Sequence, residues 1–229
     1  VHGWMVSSRV WEGLLDELEL SGHRLIVPDL RGAGQSGPAD DYEIADYAGD
    51  VLAVAGDAGA DSFDLIGHSM GGQIAQRVAA EAPERVDRLA LLCPVPACGM
   101  ELPEEAHELF LHSGGDREKQ GVILDQACLD LAEADKERLL DDAGAIPADC
   151  IEASFEAWTG ADFSDQLGAI TAETLVVGSD DPFLPPEFLD QAVVEPIAEA
   201  RLTHIPEAGH YVQVERTSQA AETLEDFLG

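Results

Sequence analysis

The stretch that decides the fold is Phe63–Gly72, FDLIGHSMGG. Phe63–Gly67 is a short apolar run of the kind that forms a buried strand, and Gly71–Glu81 continues as an Ala-rich helix stopped by Pro83. Between them stands Gly67-His68-Ser69-Met70-Gly71, a G-x-S-x-G motif. A strand that passes straight into a helix needs a turn so tight that its central residue is strained. Glycine two positions to either side removes the side chains that would collide there. The turn lifts the serine hydroxyl clear of the sheet, and the helix behind it aims backbone N–H groups at any negative charge that develops. A purely structural Gly-Ser turn is the plainer reading of the five residues alone, and the flanking strand and helix weigh against it.

The same alternation continues outward. Arg24–Pro28 (RLIVP) reads as a short buried strand and Asp29–Gly37 as a Gly-rich loop. Ile44–Gly56 has helical periodicity, with Ile44, Tyr47, Ala48, Val51, Leu52 and Ala55 on one side. Val86–Cys93, Glu173–Gly178 and Ala200–Ile205 predict three further strands, and Ser218–Leu228 a closing amphipathic helix. Strands and helices alternating at these lengths predict an α/β fold with a mostly parallel, doubly wound sheet. From Pro94 to Ile170 the alternation stops, and an acidic, helix-prone stretch is broken at Pro103, Gly114–Gly115, Gly144, Pro147 and Gly160. Its apolar faces predict a helical insertion (94–170) within a core made of 1–93 and 171–229.

A serine hydroxyl is a weak nucleophile near neutral pH and needs a positioned base, normally histidine. Seven histidines compete. His210 lies in Pro206-Glu207-Ala208-Gly209-His210, a loop between the last predicted strand and the last helix. His68 is inside the serine turn, where its ring points away from the hydroxyl. His23 precedes a strand, and a lone His204 within a strand reads as structural. His107 and His112 stand five apart in the insertion, a poor spacing for a shared metal. His210 is the candidate base by position and by elimination. A carboxylate must then fix its tautomer, and Gly178-Ser179-Asp180-Asp181-Pro182 offers two directly after a strand, where such sheets build their sites.

Composition bounds the rest. A chain of 229 residues that is 45% apolar has material for one α/β core. Its 46 acidic residues face 12 basic ones, for a formal net charge of −34, and only Lys119 and Lys136 are lysines. Such a surface repels nucleic acid and anionic membranes. It fits a protein kept soluble in strong salt, although an ordinary acidic protein is the plainer alternative. Cys93, Cys98, Cys128 and Cys150 form no C-x-x-C pair and match no zinc or redox template, so free thiols and no metal are expected. No apolar run reaches the ~18 residues of a membrane span and no signal peptide is visible, which points to a cytoplasmic protein.

Four blocks together make a specific resemblance: His2-Gly3, Asp29-x-Arg31-Gly32-x-Gly34-x-Ser36, the Ser69 turn and Gly209-His210. From His2 to the C-terminus, outside the insertion, the sequence resembles the α/β-hydrolase superfamily in its ester-hydrolase and haloperoxidase-like branch. The resemblance implies the chain order Ser, Asp, His and an acid three residues after the glycine ending its strand, hence Asp181 rather than Asp180. It implies oxyanion-hole N–H groups from Trp4 and Met70. It implies a cap formed by the insertion, whose Phe110, Phe155 and Trp158 are candidates to line a substrate pocket, as are Phe163, Met100 and Leu102, although packing of the cap's own core accounts for all of them equally well. The implied activity is hydrolysis of a carboxylic ester, lactone or thioester through an acyl-serine, with no cofactor and a small acyl substrate as partner. A perhydrolase, acyltransferase or carbon–carbon hydrolase with the same triad, or a non-catalytic receptor, is the alternative. Serine at position 69 sets the chain apart from relatives that carry aspartate there.

Relatives also place strands before the His2-Gly3 block, one of them central, whereas this sequence starts one residue ahead of it. That predicts that Arg24–Pro28 and Phe63–Gly67 are not direct neighbours, and that upstream residues or another segment lie between them. It also predicts a loosened Trp4.

Overall fold

Four apolar runs supply the frame of the computed structural model, which describes residues 1–229. Phe63–His68 (β1), Val86–Leu92 (β2), Glu173–Ser179 (β3) and Ala200–Ile205 (β4) lie side by side in that order. Every neighbouring pair is parallel, with Leu65 opposite Leu89, Leu89 opposite Thr174 and Thr174 opposite Ala200. Leu89–Leu92 and Leu175–Val177, in the two central strands, are all buried. They read as continuous apolar runs because a parallel strand is covered on both faces.

Each strand hands over to a helix. Glu12–Glu17 (α1), Ile44–Asp57 (α2) and Met70–Glu81 (α3) precede or follow β1. A reciprocal capping box between Glu43 and Asp46 opens α2, and Ile44, Tyr47, Ala48, Val51 and Ala55 bury its predicted face. Helix α3 packs on β1, β2 and α2. Between β2 and β3 stand Glu104–Leu111 (α4), Arg117–Ala127 (α5), Glu133–Ala145 (α6) and Ala148–Gly160 (α7). Pro186–Leu189 (α8) follows β3, and Val212–Glu215 (α9) and Thr217–Leu228 (α10) follow β4, with α10 against α1. One core of 57 buried residues runs from Leu89 and Val176 in the sheet through Leu124, Leu139, Phe155 and Trp158 in the inserted helices. The insertion therefore has no separate core. Its apolar faces are buried against the sheet unit, which fixes it over one end of the strands.

The strand expected over Arg24–Pro28 does not form. The segment pairs with nothing, and Leu25, Ile26 and Val27 are 47, 41 and 37% exposed. An apolar run becomes a strand only when a ladder partner lies within about 5 Å. The edge of β1 is met instead by Val1, whose amino group donates to the Ile66 carbonyl at 2.6 Å while the His68 N–H donates to the Val1 carbonyl at 3.1 Å. A cleft of about 450 Å³ is lined by both Leu25–Pro28 and Phe63–Ile66. The four cysteines are all free, with Cys93 and Cys150 buried, Cys128 half-buried and Cys98 exposed.

Candidate active site

The end of β1 and the start of α3 place Ser69 at φ 57°, ψ −124°, in the left-handed half of backbone space. A non-glycine residue is held there at a cost of about 1–3 kcal/mol. The restraints are visible: the Ser69 N–H donates to the Leu92 carbonyl at 3.1 Å, and the Ser69 carbonyl accepts from Gly72 at 2.8 Å and Val95 at 3.0 Å. The flanking glycines are required by space. A Cβ at Gly67 would collide with the Gly71 carbonyl, and one at Gly71 with the His2 carbonyl. The turn can close only on bare backbone.

Three side chains from three loops meet here. Ser69 Oγ lies 2.8 Å from His210 Nε2, and His210 Nδ1 lies 2.6 Å from Asp181 Oδ2. An ionised carboxylate only accepts, so Nδ1 carries the imidazole proton and Nε2 is left to accept from the serine hydroxyl. The Asp181 side chain is fully buried, and its other oxygen accepts the Phe183 N–H at 2.8 Å. That second bond holds the carboxylate plane against His210. Asp180 points the other way. It is 46% exposed, contacts His204 Nε2 at 2.9 Å and accepts the Glu207 N–H at 2.8 Å. The remaining histidines stay outside: His23 faces Asp64, His112 faces Glu108 and His107 packs edge-on against Phe155.

Trp4 and Met70 flank the serine. Met70 opens α3, where its N–H has no intrahelical acceptor, and the Trp4 N–H donates to no protein group. The Trp4 loop is braced by His2, which contacts the Gly3 carbonyl through Nδ1 at 2.8 Å and accepts the Leu30 N–H through Nε2 at 2.9 Å. Burial holds His2 down to about 4, so the ring is neutral and can play both parts. Trp4 is not loosened, contrary to expectation. Its indole donates to the Ile151 carbonyl of α7 at 2.9 Å and stacks on Phe110 of α4, with centroids 5.5 Å apart and planes 4° from parallel. The inserted helices supply the anchor.

Two further residues shape the site in ways that the sequence did not indicate. Glu215, buried in α9, accepts the Gly209 N–H through Oε1 at 3.1 Å and the Leu129 and Asp130 N–H groups through Oε2 at 2.8 Å each. It ties the loop carrying His210 to the segment after α5, and His210 N–H adds a bond to the Ala127 carbonyl at 2.8 Å. His68, fully buried, donates through Nε2 to the His210 carbonyl at 2.9 Å. Burial and then the neighbouring His210 push its pKa well down, which keeps it neutral. The spacing of Glu215, five residues after His210, was the one available signal, and nothing in the sequence said what it would hold.

Next to the serine and histidine is a cavity of about 50 Å³. Phe110, Trp158 and Met100 of the insertion side line it, together with Ile123, Phe183 and Tyr211. Phe155 does not; it packs behind, against Trp4, Phe110 and Trp158, because α7 turns it into the core. Phe163 lies beneath Arg77, and Leu102 is absent from the lining. No group of three His, Cys, Asp or Glu side chains is disposed to hold a metal ion, and no helix is long and apolar enough to cross a membrane.

Comparison with known proteins bears on the fold and the family. The family profile described as the alpha/beta hydrolase fold matches residues 1–217. RutD of Variovorax paradoxus, a candidate carbamate hydrolase by its name, is 29% identical over 97% of this chain and 87% of its own. A non-heme haloperoxidase of Rhodococcus erythropolis is 29% identical over 91% of this chain and 83% of its own. Among solved structures, the esterase EaEST of Exiguobacterium antarcticum superimposes with a TM-score of 0.91 at 23% identity, covering 100% of this chain and 90% of its own. With a strand–serine–helix turn, a parallel sheet and a family match along nearly its whole length, the chain belongs to the α/β-hydrolase family.

Proposed function

We propose that the protein hydrolyses a carboxylic ester through an acyl-serine intermediate, with Ser69 as nucleophile, His210 as base and Asp181 as its orienting carboxylate. The observation that carries the reading is the unbroken chain of short bonds from Ser69 Oγ through His210 to the buried Asp181, at 2.8 and 2.6 Å. Ser69 Oγ attacks the ester carbonyl carbon as its proton passes to His210 Nε2. The imidazolium so formed is stabilised by Asp181, which stays ionised. Negative charge collects on the carbonyl oxygen, where the free N–H groups of Trp4 and Met70 supply donors. Collapse of the tetrahedral adduct breaks the bond to the alkoxy oxygen, which takes the proton back from His210 and leaves as the alcohol. Water, deprotonated by His210, then attacks the acyl-serine, and the acid leaves as Ser69 recovers its proton.

Helices α4–α7 are the cap in this reading. They roof the cavity with Phe110 and Trp158 and fix the Trp4 loop through Ile151. The likeness to an esterase structure and to hydrolase-fold relatives supports the class of reaction. The test is turnover of p-nitrophenyl acetate by the wild type and by Ser69→Ala. The variant should retain only the residual catalysis of binding and oxyanion stabilisation, a loss of about 10⁶-fold in kcat by analogy with other serine hydrolases. Retention of more than a few per cent of activity by a folded variant would overturn the assignment.

A further inference from the structure

The cavity beside Ser69 constrains the acyl group, an inference that rests on the acyl-serine reading above. Of its 13 lining residues 11 are apolar, and the other two are Ser69 and His210 themselves. Once those two engage the carbonyl, everything further along the acyl chain meets mainly apolar and aromatic side chains and no charged one. The volume is about 50 Å³. That is far below the roughly 300–1,000 Å³ of pockets that bury a drug-sized ligand, so the space suits a short acyl chain. The leaving alcohol has no room in the same volume and must sit at its mouth.

The far wall is fixed. Phe110 is clamped between Trp4, stacked at 5.5 Å, and Phe183, edge-on at 5.8 Å. Trp4 is in turn bonded to the Ile151 carbonyl at 2.9 Å and packed against Trp158 at 6.2 Å. On this side a longer chain would have to disturb that hydrogen bond and the stack. Charge is equally restricted. None of the chain's lysines or arginines lines the cavity, so a carboxylate on the acyl chain would be desolvated with no cation to pair with, and such burial is strongly disfavoured. The charged groups that do lie close, the buried Asp181 and Glu215, are both acidic, and the net charge of −34 adds repulsion at low salt. The larger cleft beside β1 offers no alternative, because neither Ser69 nor His210 reaches it.

We infer that the protein takes short, uncharged acyl groups and rejects both long chains and acyl chains ending in a carboxylate. The test compares kcat/KM for p-nitrophenyl acetate, butyrate, hexanoate and octanoate, and for the p-nitrophenyl half-ester of succinate. Assays run in about 1 M KCl, where long-range repulsion is screened, and Ser69→Ala is measured in parallel. Acetate to butyrate should be best, with octanoate and the succinate half-ester each lower by at least about tenfold, the scale set by one misfitted group in an apolar pocket. Phe110→Ala should raise the hexanoate-to-acetate ratio by about tenfold or more, and Ile123→Ala, which opens the wall from α5, tests the same point if the first variant does not fold. An optimum at octanoate, or succinate half-ester turnover equal to butyrate, overturns the inference while Ser69-dependence leaves the acyl-serine reading standing. Activity that survives Ser69→Ala overturns that reading instead. A protein whose Ser69 reacts with a fluorophosphonate but which cleaves none of the short esters also counts against the inference.

Discussion

Replacing Asp181 by asparagine exchanges a single heavy atom and should remove nearly all turnover. The carboxylate accepts the His210 Nδ1 proton at 2.6 Å through Oδ2 and the Phe183 N–H at 2.8 Å through Oδ1, with the side chain fully buried. An amide has a single acceptor. If its oxygen keeps Phe183, its NH₂ faces Nδ1 and selects the tautomer with the proton on Nε2, which cannot accept from Ser69. If the oxygen turns to His210, the Phe183 N–H is orphaned in the interior, and the amide still cannot neutralise the imidazolium. Loss of the working tautomer costs about 10⁴-fold in kcat in serine hydrolases of this type, or about 5 kcal/mol of transition-state stabilisation. Asp180→Asn is the internal control. Its carboxylate is exposed and serves only His204 and Glu207, so kcat should change by less than about threefold, in keeping with the small worth of exposed ion pairs. Both variants are assayed with p-nitrophenyl acetate, with folding checked by circular dichroism. A folded Asp181→Asn enzyme within tenfold of wild type, or an equal loss in Asp180→Asn, would refute the reasoning.

Glu215→Gln leaves one oxygen for two sets of N–H donors, so either Gly209 or the Leu129–Asp130 pair loses its acceptor, at about 1–3 kcal/mol. The melting temperature should fall and kcat should drop while KM changes little; unchanged values of all three would dismiss Glu215 as a brace for His210. For pH, His2 titrates at about 4 in the fold against an ordinary 6.5. The unfolded chain therefore binds more protons between those values, and stability is complete above about 6.5 and falls by up to about 3 kcal/mol as pH drops toward 4. Burial pushes His68 the same way. Denaturant titrations at about pH 7 and pH 4.5 should show the decline, reduced in His2→Gln; equal stability at both would contradict neutral, buried histidines. The charge of −34 predicts a melting temperature that rises between about 0.1 and 2 M KCl as carboxylates are screened, and a flat or falling curve would leave the acidity unrelated to salt.

The parts of this protein that could be read from sequence are those fixed by local backbone demands. The Ser69 turn is legible because its glycines are required within five residues. The two central strands are legible because parallel strands buried on both faces have no polar alternation to blur them, and the edge strands β1 and β4 are legible as shorter apolar runs between turn residues. The choice between Asp180 and Asp181 needed a family resemblance, since both follow the same strand and only the backbone past Ser179 decides which one turns inward. Arg24–Pro28 looked like a strand for the same compositional reason as the others, yet a strand exists only through its ladder, and no residue string reports its partner. The braces were hidden for a related reason. Trp4 is held by Ile151, 147 positions away, and Glu215 holds Leu129, 86 positions away. Such contacts follow from how α7 and α9 pack, and neither partner carries a pattern of its own. Phe155 shows the converse: an aromatic in an amphipathic helix is legible as buried, but whether it faces a cavity or the core behind it depends on the turn of the helix.

The central claim, an acyl group carried on Ser69, is tested most directly by rapid acid quench during turnover of p-nitrophenyl acetate, followed by mass spectrometry of the digested protein. The account predicts one acetyl group, on the peptide that contains Ser69, formed with the burst of p-nitrophenol and absent from Ser69→Ala. Turnover with the acetyl group on any other residue, or a burst with Ser69 left unmodified, would contradict it.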